Sequence, residues 1–567
     1  MTRRRAVPAA LALGLLLTAL GLTRSPAPLH AAEKADRIFI NGRVWTGEPG
    51  KPLAEALAVR AQSILAVGKT SEIQGFKEKK TDVVDLKGRL VTPGFGDGHL
   101  HLMMGSLALT ELDVRGATSV EELQKRLGEY ARKNPAREWI VGSGWAYGDF
   151  PGGPARGMLD AVVSDRPVYL VDRDHHSALV NGVALAKAGI TKATKDPEHG
   201  LIVRDAAGEA TGLLKEAASQ LVSKHIPEVE AEDRYRALKK GLDPLASYGL
   251  TSVQDAGLDE ADLPVLDRLQ QEGGLKLRVS AALRMQKVAP PEDLARYRSL
   301  RDRFKGPRLR VASVKGMVDG VVDAKTAYML EPYVGGGTGL PNWTPEELNK
   351  AVAIYDAEGF QVLLHACGDR AVRMALDAFE KVGRRPSATP RRHRVEHAEV
   401  VSAADRPRFK ALGVVASTQA IFANPDKTTL ENYAVLLGPE RAAMANAFKL
   451  FDDAGAVQAF GSDWPVFSAE VLPAIFTAVT RTTPEGTPAG GWYPENRVPV
   501  EAALRHFTRD NAYATFDEQA RGTLATGKLA DLVVLSDDVL SVPAKSLRAR
   551  VVLTVLGGQD TYRAREF

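Results

Sequence analysis

An α/β fold, a (β/α)8 TIM barrel carrying a small composite β-sandwich and a large insertion, is what the sequence predicts, on three observations. Eight short apolar segments, each ending in a turn or a polar cluster, follow one another through the middle of the chain. Helical stretches separate several of them, and strands alternating with helices build parallel sheets. Both chain ends instead carry short alternating segments broken by glycine, in the same style at either end.

The strand candidates are VTPGFGDGH (91–99), TSVQDAG (251–257), LKLRVSAAL (275–283), LRVASVKGM (309–317), FQVLLHACG (360–368), RHRVEHA (392–398), GVVASTQ (413–419) and AVQAFGSDWP (456–465). TPEELNKAVAIYDAEG (344–359) and DRAVRMALDAFEKVG (369–383) read as helices between them. The end segments, 35–90 and 520–567, are expected to pair into one β-sandwich around a barrel of 91–519. Between the first two barrel strands lies a stretch of about 105–245, too long to be a loop, which must fold on its own. Inserted after the first strand, it would sit at the mouth of the barrel.

Residues 1–32 are a different material. Arg3–Arg5 open them, an apolar run from Ala6 to Leu22 follows, and small residues Ala31 and Ala32 close them. This is the three-part shape of a secretory signal peptide, with export to a periplasm or the medium as its consequence. A membrane anchor is the other reading, against which stand the short run and Pro8. The arginine cluster leaves both the general and the twin-arginine route open. The single cysteine, Cys367, allows no intramolecular disulfide. A formal net charge of +4 on 567 residues gives no reason to expect nucleic acid. A small-molecule substrate is the expected partner, no stable membrane anchor is expected after leader cleavage, and a homodimer is the working expectation for assembly.

The chemistry lies in polar residues at the strand ends. Val311, Ala312, Val314, Met317 and Val318 suit a buried strand, but Lys315 stands among them, and an ammonium is almost never fully buried unpaired. His99 and His101 are two apart and face one way, with Asp97 on the same side. His365, His397 and Asp463 end the fifth, sixth and eighth strand candidates. All converge on the C-terminal face, where barrel enzymes keep their active sites. A neutral lysine amine can capture CO2 as a carbamate, an anion that two divalent cations can stabilise, which gives Lys315 a reason to be there. Snorkelling to the rim, or pairing with Asp319, are its alternatives.

His-x-His on the first strand, VKGMVDG, HACGDRA, RVEHA, GSDWPV and GKLADLVVL resemble, in order, the amidohydrolase superfamily, and within it the amidohydrolase 3 or YtcJ-like subgroup. The resemblance covers about residues 36–565. It implies a metal-dependent barrel with His99, His101, Lys315, His365, His397 and Asp463 as ligands of one or two divalent ions, zinc foremost, and a carbamate on Lys315. It implies hydrolysis of a non-peptide C–N bond (amide, formamide, cyclic amide or amidine) by metal-activated hydroxide, with Asp463 as general acid and base. Asp97 is expected to orient a ligand imidazole. DRDHHSALVN resembles a family segment in which a histidine and an asparagine face the substrate, and His176 and Asn181 fall on those positions. Trp145 and Trp464 are read as pocket walls, with insertion core as the other reading of Trp145. Asp319 and Arg370 are read as polar groups near the mouth. Cys367 stands where an aliphatic residue is commoner. His199, His225 and His506 lack a partner pattern and read as surface. Two other functions stay open: the same site acting on an ester or phosphoester, and a catalytically dead barrel with a binding role.

Overall fold

The computed structural model describes residues 33–150, 152–384, 390–543 and 548–567. The expected leader, residues 1–32, lies outside them. Eight strands form one parallel sheet in sequence order: β1 (Phe95–Leu100), β2 (Leu250–Asp255), β3 (Arg278–Arg284), β4 (Leu309–Met317), β5 (Gln361–Ala366), β6 (Arg394–His397), β7 (Val415–Gln419) and β8 (Gln458–Gly461). Each coincides with one of the eight apolar segments. Nearly all their residues are buried on both faces, as a sheet covered by helices outside and filled inside requires.

The sheet comes round on itself at the ends of β1 and β8. The Asp463 amide donates to the His99 carbonyl at 2.7 Å, and the His101 amide to that of Trp464 at 2.8 Å. Asn511 staples the seam, donating from Nδ2 to Gly96 O at 2.9 Å and Phe460 O at 2.8 Å. The approach is too close for side chains: a Cβ on Gly461 would stand 2.5 Å from the His99 amide nitrogen.

The two expected helices are present as Pro345–Ala357 and Asp369–Gly383. Thr344 caps the first reciprocally with Glu347, at 3.2 and 2.8 Å. The second buries Ala371, Val372, Ala375, Leu376, Phe379 and Val382, one face at helical spacing.

The chain ends pair as the glycine-broken patterns suggest. Leu532–Leu535 runs antiparallel to Leu90–Pro93, which leads through Gly94 into β1. This six-stranded sheet packs its apolar residues with those of a four-stranded one from residues 37–85. The insertion has a six-stranded mixed sheet of its own, from Leu112–Asp113 to Ala210–Glu216, around a core containing Trp145, Leu170 and Leu179. Among the described residues no helix is long and apolar enough to cross a membrane.

Candidate active site

Strand register sets the site. Ladder partners bring Lys315 of β4 opposite Leu363, Met317 opposite His365 of β5, and Ala366 opposite His397 of β6. His99 lies inside β1, while His101 stands just past its end as the residue before the helix Leu102–Ala108. His397 and Asp463 hold φ at 69° and 59°, left-handed values that end their strands. Such backbone costs about 1–3 kcal/mol per residue and persists only where the surroundings enforce it.

Asp463 Oδ1 lies 3.4 Å from Nε2 of His99 and 3.3 Å from Nε2 of His101. It is buried and accepts no hydrogen bond. A buried carboxylate oxygen without a donor calls for an explanation, and a cation supplies one: two imidazole nitrogens and one oxygen, all within 4.8 Å of one another, suit a divalent metal. Lys315 Nζ is 3.4 Å from the same His99 Nε2. The His397 ring lies 4.7 Å from that of His99 and 4.4 Å from that of His365. The structure therefore brings together all six residues expected as ligands.

Burial pushes His99, His365 and His397 well below their ordinary 6.5, neighbouring cationic groups adding to the effect. Burial also pulls the Lys315 amine down, against Glu396 and Asp463, which favour its charge. Neutral imidazoles are the form that binds metal, and a neutral amine is the form that reacts with CO2.

A second layer aims the rings. Nδ1 of His99 donates to Glu396 Oε2 at 2.5 Å, Nδ1 of His397 to Gln419 Oε1 at 3.0 Å, and Nε2 of His365 to the Gly320 carbonyl at 3.1 Å. Each bond occupies one ring nitrogen and leaves the other for an ion. Arg394, fully buried, holds Glu396 from Nε at 2.8 Å and Nη2 at 3.0 Å. Sequence reasoning missed Glu396 and Arg394. Their signal was two opposite charges spaced i, i+2 inside an apolar strand.

The expectation for Asp97 is corrected. It reaches no imidazole; it accepts from the amides of His99 (3.0 Å) and Ser462 (3.1 Å) and from the Ser462 hydroxyl (2.5 Å), tying β1 to the end of β8. Burial raises it to about 7.

A cavity of about 830 Å³ opens over these residues, walled by the barrel ends on one side and His175, His176 and Glu216 of the insertion on the other. Nδ1 of His176 meets Glu216 Oε2 at 2.9 Å. Burial works against charge on that ring, but Glu216 and the acids behind it hold it at about 9. Arg173 ties the insertion to the loops after β4 and β7, 3.6 Å from Asp323 and 3.2 Å from Asp426.

Five residues expected at the pocket do not line it. Asn181 is buried inside the insertion, where Oδ1 caps a helix at Ala184 N and Nδ2 donates to Val163 O and Arg166 O. Trp145 is insertion core, its Nε1 donating to Leu170 O. Trp464 packs flat on Gly105, where a Cβ would come within 2.3 Å. Asp319 is a loop clamp: its oxygens accept from the amides of Tyr328 (2.7 Å), Gly368 (2.9 Å) and Cys367 (3.0 Å). Three backbone donors fix its orientation, and it lies near His365 and Cys367. Arg370 is exposed, its guanidinium over the Tyr328 ring. Cys367 does line the cavity, its sulfur 3.4 Å from His365 Nε2. One histidine read as surface is not: His506 is fully buried between Asp452 and Asp510, whereas His199 is partly exposed and also lines the cavity.

A model of the amidohydrolase family matches residues 82–562. Protein LONG AFTER FAR-RED 3 of Arabidopsis thaliana is 32% identical over 93% of this chain and 92% of its own. The putative amidohydrolase YtcJ of Bacillus subtilis (strain 168) is 30% identical over 87% and 93%. The N-substituted formamide deformylase of Arthrobacter pascens is 27% identical over 91% and 96%. Among solved structures, an uncharacterized metal-dependent hydrolase from Pyrococcus furiosus superposes with a TM-score of 0.69 at 30% identity, covering 89% of this chain and 100% of its own. With the barrel, the family model and these relatives in agreement, the chain belongs to the amidohydrolase family, in its YtcJ-like subgroup.

Proposed function

We propose that the protein is an exported metal-dependent hydrolase of a non-peptide C–N bond, with N-substituted formamides as the first substrate class to examine. The observation that carries the hydrolytic reading is Asp463 Oδ1, buried and without a donor, between Nε2 of His99 and Nε2 of His101 at the floor of the cavity. The bond type is supported by the Arthrobacter pascens relative, whose name states deformylation of N-substituted formamides. Export is supported by the leader pattern of residues 1–32, and N-terminal sequencing of the protein recovered from the producing cells tests it: an intact residue 1 argues against cleavage.

His99, His101 and Asp463, with His365, His397 and Lys315, would hold one or two divalent ions, zinc foremost. Bound there, the metal supplies Lewis acidity towards a carbonyl oxygen and makes water acidic near neutral pH. The chain's own groups do the rest. Burial keeps the three inner imidazoles unprotonated, and Glu396, Gln419 and Gly320 fix which nitrogen each presents. Lys315, as a neutral amine, adds CO2 to form a carbamate with loss of one proton. Asp463 takes the proton of the attacking water and returns it to the departing nitrogen. The insertion covers the mouth and limits access of bulk water.

The test is a panel of N-substituted formamides and matched formate esters, assayed with the metal-loaded protein and with Asp463→Asn. The formamides should show the higher kcat/KM, and Asp463→Asn should lose about 10²–10⁴-fold in kcat, the usual worth of a general acid–base group. Turnover of esters alone sinks the C–N assignment. An unchanged rate in Asp463→Asn removes Asp463 from the mechanism.

A further inference from the structure

The end of the barrel opposite the candidate metal ligands holds a second polar cluster. Arg278 opens β3 opposite Ser252 of β2, and Arg310, near the start of β4, stands opposite Ser280 of β3. The segment after the helix Arg509–Ala514 closes this end with Thr515, Asp517 and Arg521, on its way to the sandwich strand Leu532–Leu535. Arg278 and Arg521 are buried, 5% and 6% exposed, and Arg310 is half-buried. With Ser280 and Asp517 they line a cavity of about 10 Å³, room for one small guest.

Donors outnumber acceptors there. A guanidinium carries five N–H groups. Arg278 makes three hydrogen bonds, to the two oxygens of Asp531 at 2.7 and 2.9 Å and to the Pro307 carbonyl at 3.2 Å. Arg310 makes three, to the two oxygens of Asp517 and to the Thr515 carbonyl, each at 2.6 Å. Arg521 makes three, to Asp517 Oδ2 at 3.0 Å, Ser252 Oγ at 2.8 Å and Thr515 Oγ1 at 2.7 Å. Each guanidinium keeps N–H groups in reserve. The carboxylate on the cavity wall has no room for them: Asp517 also accepts from Thr515 Oγ1 at 3.3 Å, which fills the roughly four lone-pair sites of a carboxylate. A water in the cavity would have two hydrogens of its own to place among donors; an anion has none. Charge points the same way. Three guanidinium groups are paired with two carboxylates, Asp517 and Asp531, and Arg308 stands close enough to Arg278 for their charges to oppose each other. Buried charge is ordinarily paired in full.

We propose that this cavity binds one chloride ion, held by the remaining N–H groups of Arg278, Arg310 and Arg521 and by the Ser280 hydroxyl. Its size admits a monatomic anion and excludes sulfate and phosphate. The ion offsets the surplus cation and joins the starts of β3 and β4 to the segment 515–521, which leads from the barrel to the sandwich. At the N-terminal ends of the strands, away from the cavity over the candidate metal ligands, it serves stability and takes no part in the reaction. The site is independent of the hydrolase reading given above.

Two measurements on the metal-loaded protein test this. Crystals grown in sodium bromide, with data collected at the bromine absorption edge, should show an anomalous peak in the cavity among the three guanidinium groups. Thermal unfolding is then followed at constant sodium while gluconate is exchanged for chloride. The Tm of wild type should rise by about 1 °C for each tenfold rise in chloride above its dissociation constant, the linkage of one bound ion on a chain of this length. Arg310→Gln removes charge and donors. Ser280→Val keeps every arginine–aspartate pair but takes away a hydroxyl and fills space, so it tests the site where Arg310→Gln fails to fold. Each should lose the chloride-dependent rise. No anomalous peak in the cavity overturns the proposal, whatever bromide binds elsewhere. So does a Tm that is the same in gluconate and chloride; a bromide peak alongside it is an adventitious ion only. A chloride-dependent rise that survives undiminished in Ser280→Val or Arg310→Gln places the effect at another site and overturns it too.

Discussion

Nδ1 of His99 and Oε2 of Glu396 lie 2.5 Å apart across the interior of the barrel, on strands that are not neighbours, and neither side chain touches solvent. Arg394 holds Glu396 and also donates from Nη2 to Ser417 Oγ at 2.7 Å. This chain of contacts gives His99 one orientation before any ion arrives, with Nε2 towards Asp463.

Glu396→Gln should therefore bind metal about 10–100-fold more weakly, the usual cost of losing a carboxylate behind a ligand histidine. Competition with a chelator of known affinity measures this. Arg394→Leu should act differently. Removing one partner of a buried pair strands the other charge and costs about 3–5 kcal/mol, read as a lower midpoint in denaturant. Unchanged metal affinity in Glu396→Gln would show that His99 needs no outer carboxylate.

Lys315→Ala tests the carbamate. Elemental analysis of wild type should give about two metals per chain, and of the variant about one or fewer, if the carbamate bridges a two-metal site. About one metal in both proteins makes Lys315 a structural or substrate-facing group and ends the binuclear mechanism.

Asn181→Ala separates structure from substrate contact. Four hydrogen bonds to backbone groups, two accepted and two donated, depend on this buried amide. Losing them should cost about 1–3 kcal/mol or more in stability while leaving KM near its wild-type value. A raised KM without destabilisation would return Asn181 to the substrate.

His506 supplies the pH dependence. Burial opposes charge on its ring, but Asp452 at 3.2 Å and Asp510 at 2.8 Å outweigh it, and its pKa sits above the ordinary 6.5. A raised folded value means stability fully present below pH 6.5 and lost as pH rises through the folded pKa. The Tm gap between wild type and His506→Gln should thus be widest in mild acid and narrow on the alkaline side. A gap that is flat with pH would show that the ring contributes packing alone.

Much of the fold was legible because its determinants are local. All eight barrel strands are short apolar runs between breakers, and the helices Pro345–Ala357 and Asp369–Gly383 show their caps or their apolar face in the chain itself. The positions converging on the centre could be read for a related reason: a metal site needs histidine, lysine and carboxylate at strand ends, and such residues stand out in apolar strands. His99, His101, Lys315, His365, His397 and Asp463 all meet where the strands end.

What each polar side chain touches was decided by tertiary structure. Asp97 and Asp319 look like site residues in the chain, yet both spend their oxygens on backbone amides brought close by folding. Asn181 follows two histidines but turns into the insertion core. The histidine partners of Glu396 and Glu216 show in no local spacing, because they stand 297 and 40 residues away. The sequence by itself determined the barrel, its paired ends and the residue types that meet at the candidate metal site, because periodicity and strand-end position are properties of neighbouring residues. Only the tertiary structure decided which carboxylate aims which imidazole, because a hydrogen bond between distant segments depends on distances of tenths of an ångström that packing alone sets.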